Sequence, residues 1–191
     1  AAFLEYARSK GAILYYDVNF RASHRHDVMR VTPNILENLE YADIVRGSIE
    51  DFEVMFGKND PDAIYQNNIA FYTKKFICTG GSRPVVLRAE GGLRKTYPVV
   101  ETETVSTIGA GDNFNAGLVY ALIRYGITRD VIERGLTEEQ WDSVIACGQR
   151  FSADCCRSIN NSISADYGAC LKKELFEALE AMEQTDEMIE K

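Results

Sequence analysis

The chain has 191 residues, 46% hydrophobic and 26% charged, which is enough apolar material for one sizeable core and too much for a disordered polar tract. Its 21 basic and 29 acidic residues leave a net charge of −8, which argues against a surface that tracks nucleic-acid phosphates and points to small molecules or protein as partners. No apolar run reaches the roughly 20 residues of a bilayer-crossing helix, so no membrane partner is expected.

The first residues, Ala1-Ala2-Phe3-Leu4-Glu5-Tyr6, hold no basic region, no cleavage pattern and no initiator Met, so the chain is expected to begin mid-fold and nothing marks it for secretion. Phe3, Leu4 and Ala7 at helical spacing, closed by Lys10-Gly11, predict a first helix. Ala12 to Tyr16 reads as a buried strand that ends on the polar segment Asp17-Val18-Asn19-Phe20-Arg21. Thr32-Pro33 reads as an N-cap and first helical residue, opening a helix to about Tyr41, and Asp43 to Arg46 reads as the next strand.

Ser48, with Asp51 three residues on, opens a helix that stops at Gly57, and Asp60-Pro61 opens another that carries Ile64, Ile69 and Phe71-Tyr72. Phe76 to Thr79 is a strand, followed by the turn Gly80-Gly81-Ser82 and by strands Pro84 to Arg88 and Leu93 to Tyr97, paired as a hairpin around Glu90-Gly91-Gly92. Two long helices follow, about Asp112 to Tyr125 and Glu138 to Cys156, the second introduced by the capping box Thr137-x-x-Gln140. A last amphipathic helix covers about Leu171 to Met182, and the acidic end Glu183 to Glu190 reads as solvated. Strands alternate with helices through the first half, the pattern of βαβ units on a parallel sheet, so the fold class is α/β.

The five cysteines, at 78, 147, 155, 156 and 170, are an odd number without C-x-x-C spacing, which fits a reduced, cytoplasmic protein. His24 and His26 lie far in sequence from any Cys, so no His or Cys metal site is expected. The sharpest signal is Thr107-Ile108-Gly109-Ala110-Gly111-Asp112-Asn113-Phe114, a glycine loop that delivers a carboxylate to the first turn of a helix. Glycines let backbone amides turn toward an anion, and the helix start adds partial positive charge. A carboxylate there is suited to taking a proton from a hydroxyl that attacks a phosphate; it is equally suited to capping the helix.

Gly109-Ala110-Gly111-Asp112-Asn113-Phe114 resembles the second signature of the PfkB, or ribokinase-like, carbohydrate kinases. Asp17-Val18-Asn19-Phe20-Arg21 is similar to the D-x-N-x-R segment of fructokinase-like and 2-keto-3-deoxygluconate kinase-like members, and Thr79-Gly80-Gly81 to the family's T-x-G nucleotide turn. The resemblance implies a three-layer αβα fold with a mostly parallel sheet. It implies further that residues 1–191 are the C-terminal part of one kinase domain with its N-terminal portion missing, and that they are inactive on their own.

It implies ATP and magnesium as cofactors and transfer of the γ-phosphate to a sugar or keto-sugar acid. In that scheme Asp112 is the base, Gly109, Ala110 and Gly111 form the anion hole, Thr79 and Gly81 hold ATP, and Asn19 and Arg21 face substrate or phosphate. Two positions depart from the family pattern. Ser106 replaces the Asp that supports a monovalent-cation site in some members, so that site loses its support here. Ser48-Ile49-Glu50-Asp51 replaces N-x-x-E, so Ser48 and Asp51 either order magnesium-bound water or simply cap their helix. For Arg21 the alternative to a ligand contact is a surface ion pair. The alternatives for the whole protein are a non-catalytic nucleotide-binding regulatory paralogue and a nucleoside kinase on the same fold; a homodimer is left open.

Overall fold

The computed structural model describes residues 2–189, and side chains through Met182; the expected solvation of Glu183 to Glu190 lies outside the described residues. The chain forms two compact units, Ala1–Val99 with Arg129–Leu136, and Val100–Thr128 with Thr137–Lys191.

The first unit holds a five-stranded sheet in the order β1 (Tyr15–Asp17), β2 (Ile44–Ser48), β3 (Phe76–Gly80), β4 (Arg83–Arg88) and β5 (Arg94–Tyr97). β1, β2 and β3 are parallel neighbours, while β4 runs antiparallel to both β3 and β5, so four of the five strands point the same way. The expected hairpin is present, with a short 3-10 turn at Glu90–Gly92. Around the sheet stand α1 (Ala2–Ser9), α2 (Val28–Tyr41), α3 (Ile49–Phe56) and the single turn α4 (Pro61–Ile64). α3 packs on β2 and β3 and against α2 and α4, and Leu39, Phe52, Ile64, Ile69 and Phe76 are fully buried in one apolar cluster.

Ser48 and Asp60 start their helices as expected: the Ser48 hydroxyl accepts from Asp51 N, and the Asp60 carboxylate from Ala63 N. The helix opened by Asp60 changes to a π turn at Tyr65–Ile69 instead of running on to Tyr72 as an α-helix. The start at Thr32-Pro33 is corrected. A 3-10 helix over Ala22–Asp27 runs straight into α2, so the chain is already helical at Val28 and Pro33 lies inside the helix. As the sixth residue of α2, Pro33 removes one intrahelical donor, the one that would face Met29 O, and its ring crowds that carbonyl, a local cost that the rest of the helix carries.

α6 (Arg129–Arg134), for which no sequence pattern was read, belongs to the first unit through a buried charge. Asp43, 7% exposed, accepts from Leu14 N at 2.8 Å, while Arg129 approaches the Asp43 carboxylate at 3.6 Å and donates to Arg8 O at 2.9 Å.

The second unit is helical: α5 (Ala110–Arg124), α7 (Glu138–Cys156) and α8 (Ala165–Ile189). α8 starts six residues earlier than the periodicity suggested, because Ser164 caps it by accepting from Tyr167 N at 3.3 Å. α5 and α7 cross at Gly117 and Gly148, and Trp141 is fully buried as packing. Among the described residues no helix is long and apolar enough to cross a membrane.

Candidate active site

In the first unit the parallel register brings the C-terminal ends of β1, β2 and β3 to one edge of the sheet. Asp17 lies opposite Arg46, and Ser48 opposite Thr79. This is the edge at which open α/β sheets hold ligands. Beyond β1 the chain buries Val18 and Phe20 and turns Asn19 outward with a left-handed φ of 40°. Arg21 follows, exposed and without an ion pair among the described residues, so the surface ion pair that was its alternative role is not formed.

Arg46 is only 6% exposed. Its Nη1 donates to both Asp17 oxygens at 3.1 and 3.2 Å, and its Nη2 donates to Thr79 Oγ1 at 2.6 Å. One guanidinium therefore joins three strands. Sequence reasoning assigned Arg46 no role; its only signal was a charge after the apolar pair Ile44-Val45 in a strand. Burial pushes the Tyr15 phenol far above its usual range and the Cys78 thiol up to about 12, so both groups beside Arg46 stay neutral. Past Thr79 the chain turns at Gly80-Gly81, where Gly81 has φ of 59°.

The Ser48 to Asp51 segment forms a capping box. Asp51 Oδ2 accepts from Ser48 N and Ser48 Oγ, both at 2.8 Å, and Ser48 Oγ accepts from Asp51 N at 3.1 Å. Burial raises the Asp51 carboxyl above the ordinary carboxylate value, against the pull of its Ser48 hydrogen bonds and of Arg46. Both bonds use Oδ2, which leaves Oδ1 for a water. Magnesium keeps several of its waters and is held through one or two carboxylates plus phosphate, so Ser48 and Asp51 fit an outer contact and not a full ligand set. Among the described residues no cluster of His, Cys, Asp and Glu could hold a metal by itself.

In the second unit Gly109 caps α5 with φ of 81°, and no side chain caps the helix. Asp112 is thus the third helical residue and not the N-cap. Its carboxylate is exposed and takes part in no hydrogen bond or ion pair among the described residues. The Ala110 N–H is spent on Thr107 O at 3.2 Å, whereas the N–H groups of Gly111 and Asp112 belong to the unpaired set at a helix start.

Three attachments hold the loop. Ser106 Oγ accepts from Ile108 N at 3.2 Å, and Val105 N and Ser106 N both donate to Cys156 O. Asn113 Nδ2 donates to Gly109 O at 2.9 Å and Asn161 O at 3.1 Å, and lies 3.2 Å from Cys155 Sγ. Cys155 is buried, and its thiol is raised chiefly by that burial. The bracing by Asn113 and Asn161, 48 residues apart, carried no sequence signal. Cys147 and Gly148 are buried where α5 and α7 cross.

The pfkB family carbohydrate kinase model matches residues 1–160. A 5-dehydro-2-deoxygluconokinase of Geobacillus thermodenitrificans is 25% identical over 126 residues, 63% of this chain and 37% of that protein. One of Bacillus cereus is 21% identical over 126 residues, 63% and 38% of the two chains. The chain thus spans less than two fifths of the length of these relatives.

Among solved structures, aminoimidazole riboside kinase from Salmonella enterica, complexed with aminoimidazole riboside and an ATP analog, is similar with a TM-score of 0.69 and 21% identity, over 91% of this chain and 57% of that one. Fructokinase with bound ATP from Xylella fastidiosa is similar with a TM-score of 0.70 and 16% identity, over 95% and 56%. These likenesses show a ribokinase-like fold. Because the family model covers most of its length, the chain belongs to the pfkB family of carbohydrate kinases.

Proposed function

We propose that the protein is an ATP-dependent carbohydrate kinase in which Asp112 is the general base. The observation that carries this reading is the Asp112 carboxylate, exposed and unpaired among the described residues, in the first turn of α5, a helix whose N-cap is the left-handed Gly109 and which no side chain caps. A carboxylate that is exposed and held by no donor is free for proton transfer.

In this reading a sugar hydroxyl oxygen attacks the γ-phosphorus of ATP and its proton passes to Asp112. The new O–P bond forms as the bond from phosphorus to the β,γ-bridging oxygen breaks, and ADP leaves. The Gly109-Ala110-Gly111 loop with the α5 dipole stabilises the charge on the transferring group. Since Ala110 N–H is already engaged, the amides of Gly111 and Asp112 are the better donors. Thr79 and Gly81 hold the nucleotide, and Asn19 and Arg21 contact sugar or phosphate. Ser48 and Asp51 would order a water of a bound magnesium, which would supply charge neutralisation to the triphosphate.

The substrates favoured by the D-x-N-x-R segment are fructose and 2-keto-3-deoxygluconate. The names of the relatives add 5-dehydro-2-deoxygluconate and aminoimidazole riboside, the last representing a nucleoside kinase. Five free cysteines accord with the cytoplasm as its compartment. The test is Asp112→Asn in the full-length protein, assayed with ATP and magnesium on that panel. Turnover should drop on the order of 10²- to 10⁴-fold with ATP affinity kept. Turnover within a few-fold of wild type overturns the assignment of the base, and activity on none of the panel favours the regulatory paralogue.

A further inference from the structure

We infer that Arg46 is a positioning residue that holds the Thr79 hydroxyl as a hydrogen-bond donor to an anionic ligand at the C-terminal edge of the sheet, with the triphosphate of ATP as that ligand. The inference rests on the ATP-dependent reading above and adds to it a residue that neither the motifs nor the family match singled out.

The chemistry follows from what each group can do. A guanidinium has five donors and no acceptor, so in the 2.6 Å contact Arg46 Nη2 donates and Thr79 Oγ1 accepts. A threonine hydroxyl carries one proton. With the oxygen committed to Arg46, that proton is aimed elsewhere, and among the described residues it has no acceptor. Accepting from a cation polarises the O–H and makes it a stronger donor toward an oxyanion.

The position suits the task. Thr79 lies opposite Ser48, two residues beyond Arg46, so alternation puts Arg46 and Ser48 on one face of β2 at the strand end. The Gly80-Gly81 turn follows at once. Asp17 makes the arrangement tolerable, because a guanidinium 6% exposed would be costly without a carboxylate bonded through both oxygens. The pair Asp17 and Arg46 is then a nearly neutral clamp whose Nη2 orients one hydroxyl.

The experiment is ATP binding by calorimetry, in the full-length protein, for wild type, Thr79→Val, Arg46→Lys and the double variant. Arg46→Lys keeps the charge facing Asp17 but cannot reach both partners as a planar fork does. Thr79→Val and Arg46→Lys should each weaken ATP about tenfold or more, and the double variant should be no weaker than Thr79→Val alone. If Arg46→Lys does not fold by circular dichroism, Asp17→Asn/Arg46→Gln removes both buried charges together and takes its place, with the same loss and the same lack of additivity expected. Losses that add, or a Thr79→Val protein that binds ATP like wild type, overturn the inference while leaving the kinase reading intact. A wild-type protein that does not bind ATP overturns both.

Discussion

The side-chain amide of Asn113 donates to the carbonyl oxygen of Gly109 at 2.9 Å, closing the loop that precedes α5 with a residue of its own first turns. The same amide donates to Asn161 O, and a Cβ on Gly109 would stand 2.9 Å from that carbonyl oxygen. Gly109 is therefore required twice, for its φ of 81° and for the close approach of Asn161. Gly109→Ala should cost about 1–3 kcal/mol in a denaturation experiment and lower turnover as well. Wild-type stability in that variant would mean the loop is looser than its hydrogen bonds imply.

Arg21 presents the opposite case. It is exposed and forms no ion pair among the described residues, so its removal should leave stability within about 0.5 kcal/mol of wild type. If it contacts substrate or phosphate, kcat/KM should fall sharply in Arg21→Ala. A lowered melting temperature with unchanged kinetics would make Arg21 a structural residue.

The raised carboxyl of Asp51 predicts a pH dependence. An acid whose value in the folded state lies above its ordinary 3.8 binds its proton more tightly when folded. The stability tied to that proton is full below the unfolded value and is lost as the pH rises through the folded one. Asp51→Asn keeps an oxygen for the Ser48 N–H and hydroxyl and removes the ionisation. Relative to wild type, the variant should gain stability as the pH rises from 3.8 through the raised folded value, read as a melting-temperature difference that grows with pH over that range. A difference that shrinks over that range would show that the ionised carboxylate stabilises the capping box.

The crossing of α5 and α7 leaves no room at Gly117. A Cβ there would lie 2.6 Å from Cys147 O and 2.8 Å from the Gly148 Cα, backbone atoms that cannot swing aside. Gly117→Ala should destabilise the protein by about 1–3 kcal/mol, measured by urea unfolding, through overpacking. A neutral result would show that the two helices can separate without loss.

How much was legible in the sequence follows from the range of each interaction. The capping boxes at Ser48 and Thr137, the Asp60 cap and the Gly109 loop are made between residues three or four apart, so local spacing predicts them. Thr32-Pro33 has the same local form and misleads, because the turn that precedes it is already helical and an N-cap needs a non-helical residue. The α6 helix is held by Asp43, Arg8 and Glu133, and its own six residues are too few to announce themselves by periodicity.

Spacing placed Asp112 at a helix start, and the structure puts Gly109, not Asp112, at the cap position. The identity of the chemistry-bearing residues was thus determined by sequence, since glycine, aspartate and threonine offer only a few groups each. What each group is free to do was decided by tertiary structure. Arg46 meets Asp17 across 29 residues and Thr79 across 33, and only the register of three parallel strands brings a buried guanidinium within reach of both. Hydrogen bonds extend about 3 Å and a strand advances about that far per residue, so a slip of one position would turn Arg46 to the other face and break the set.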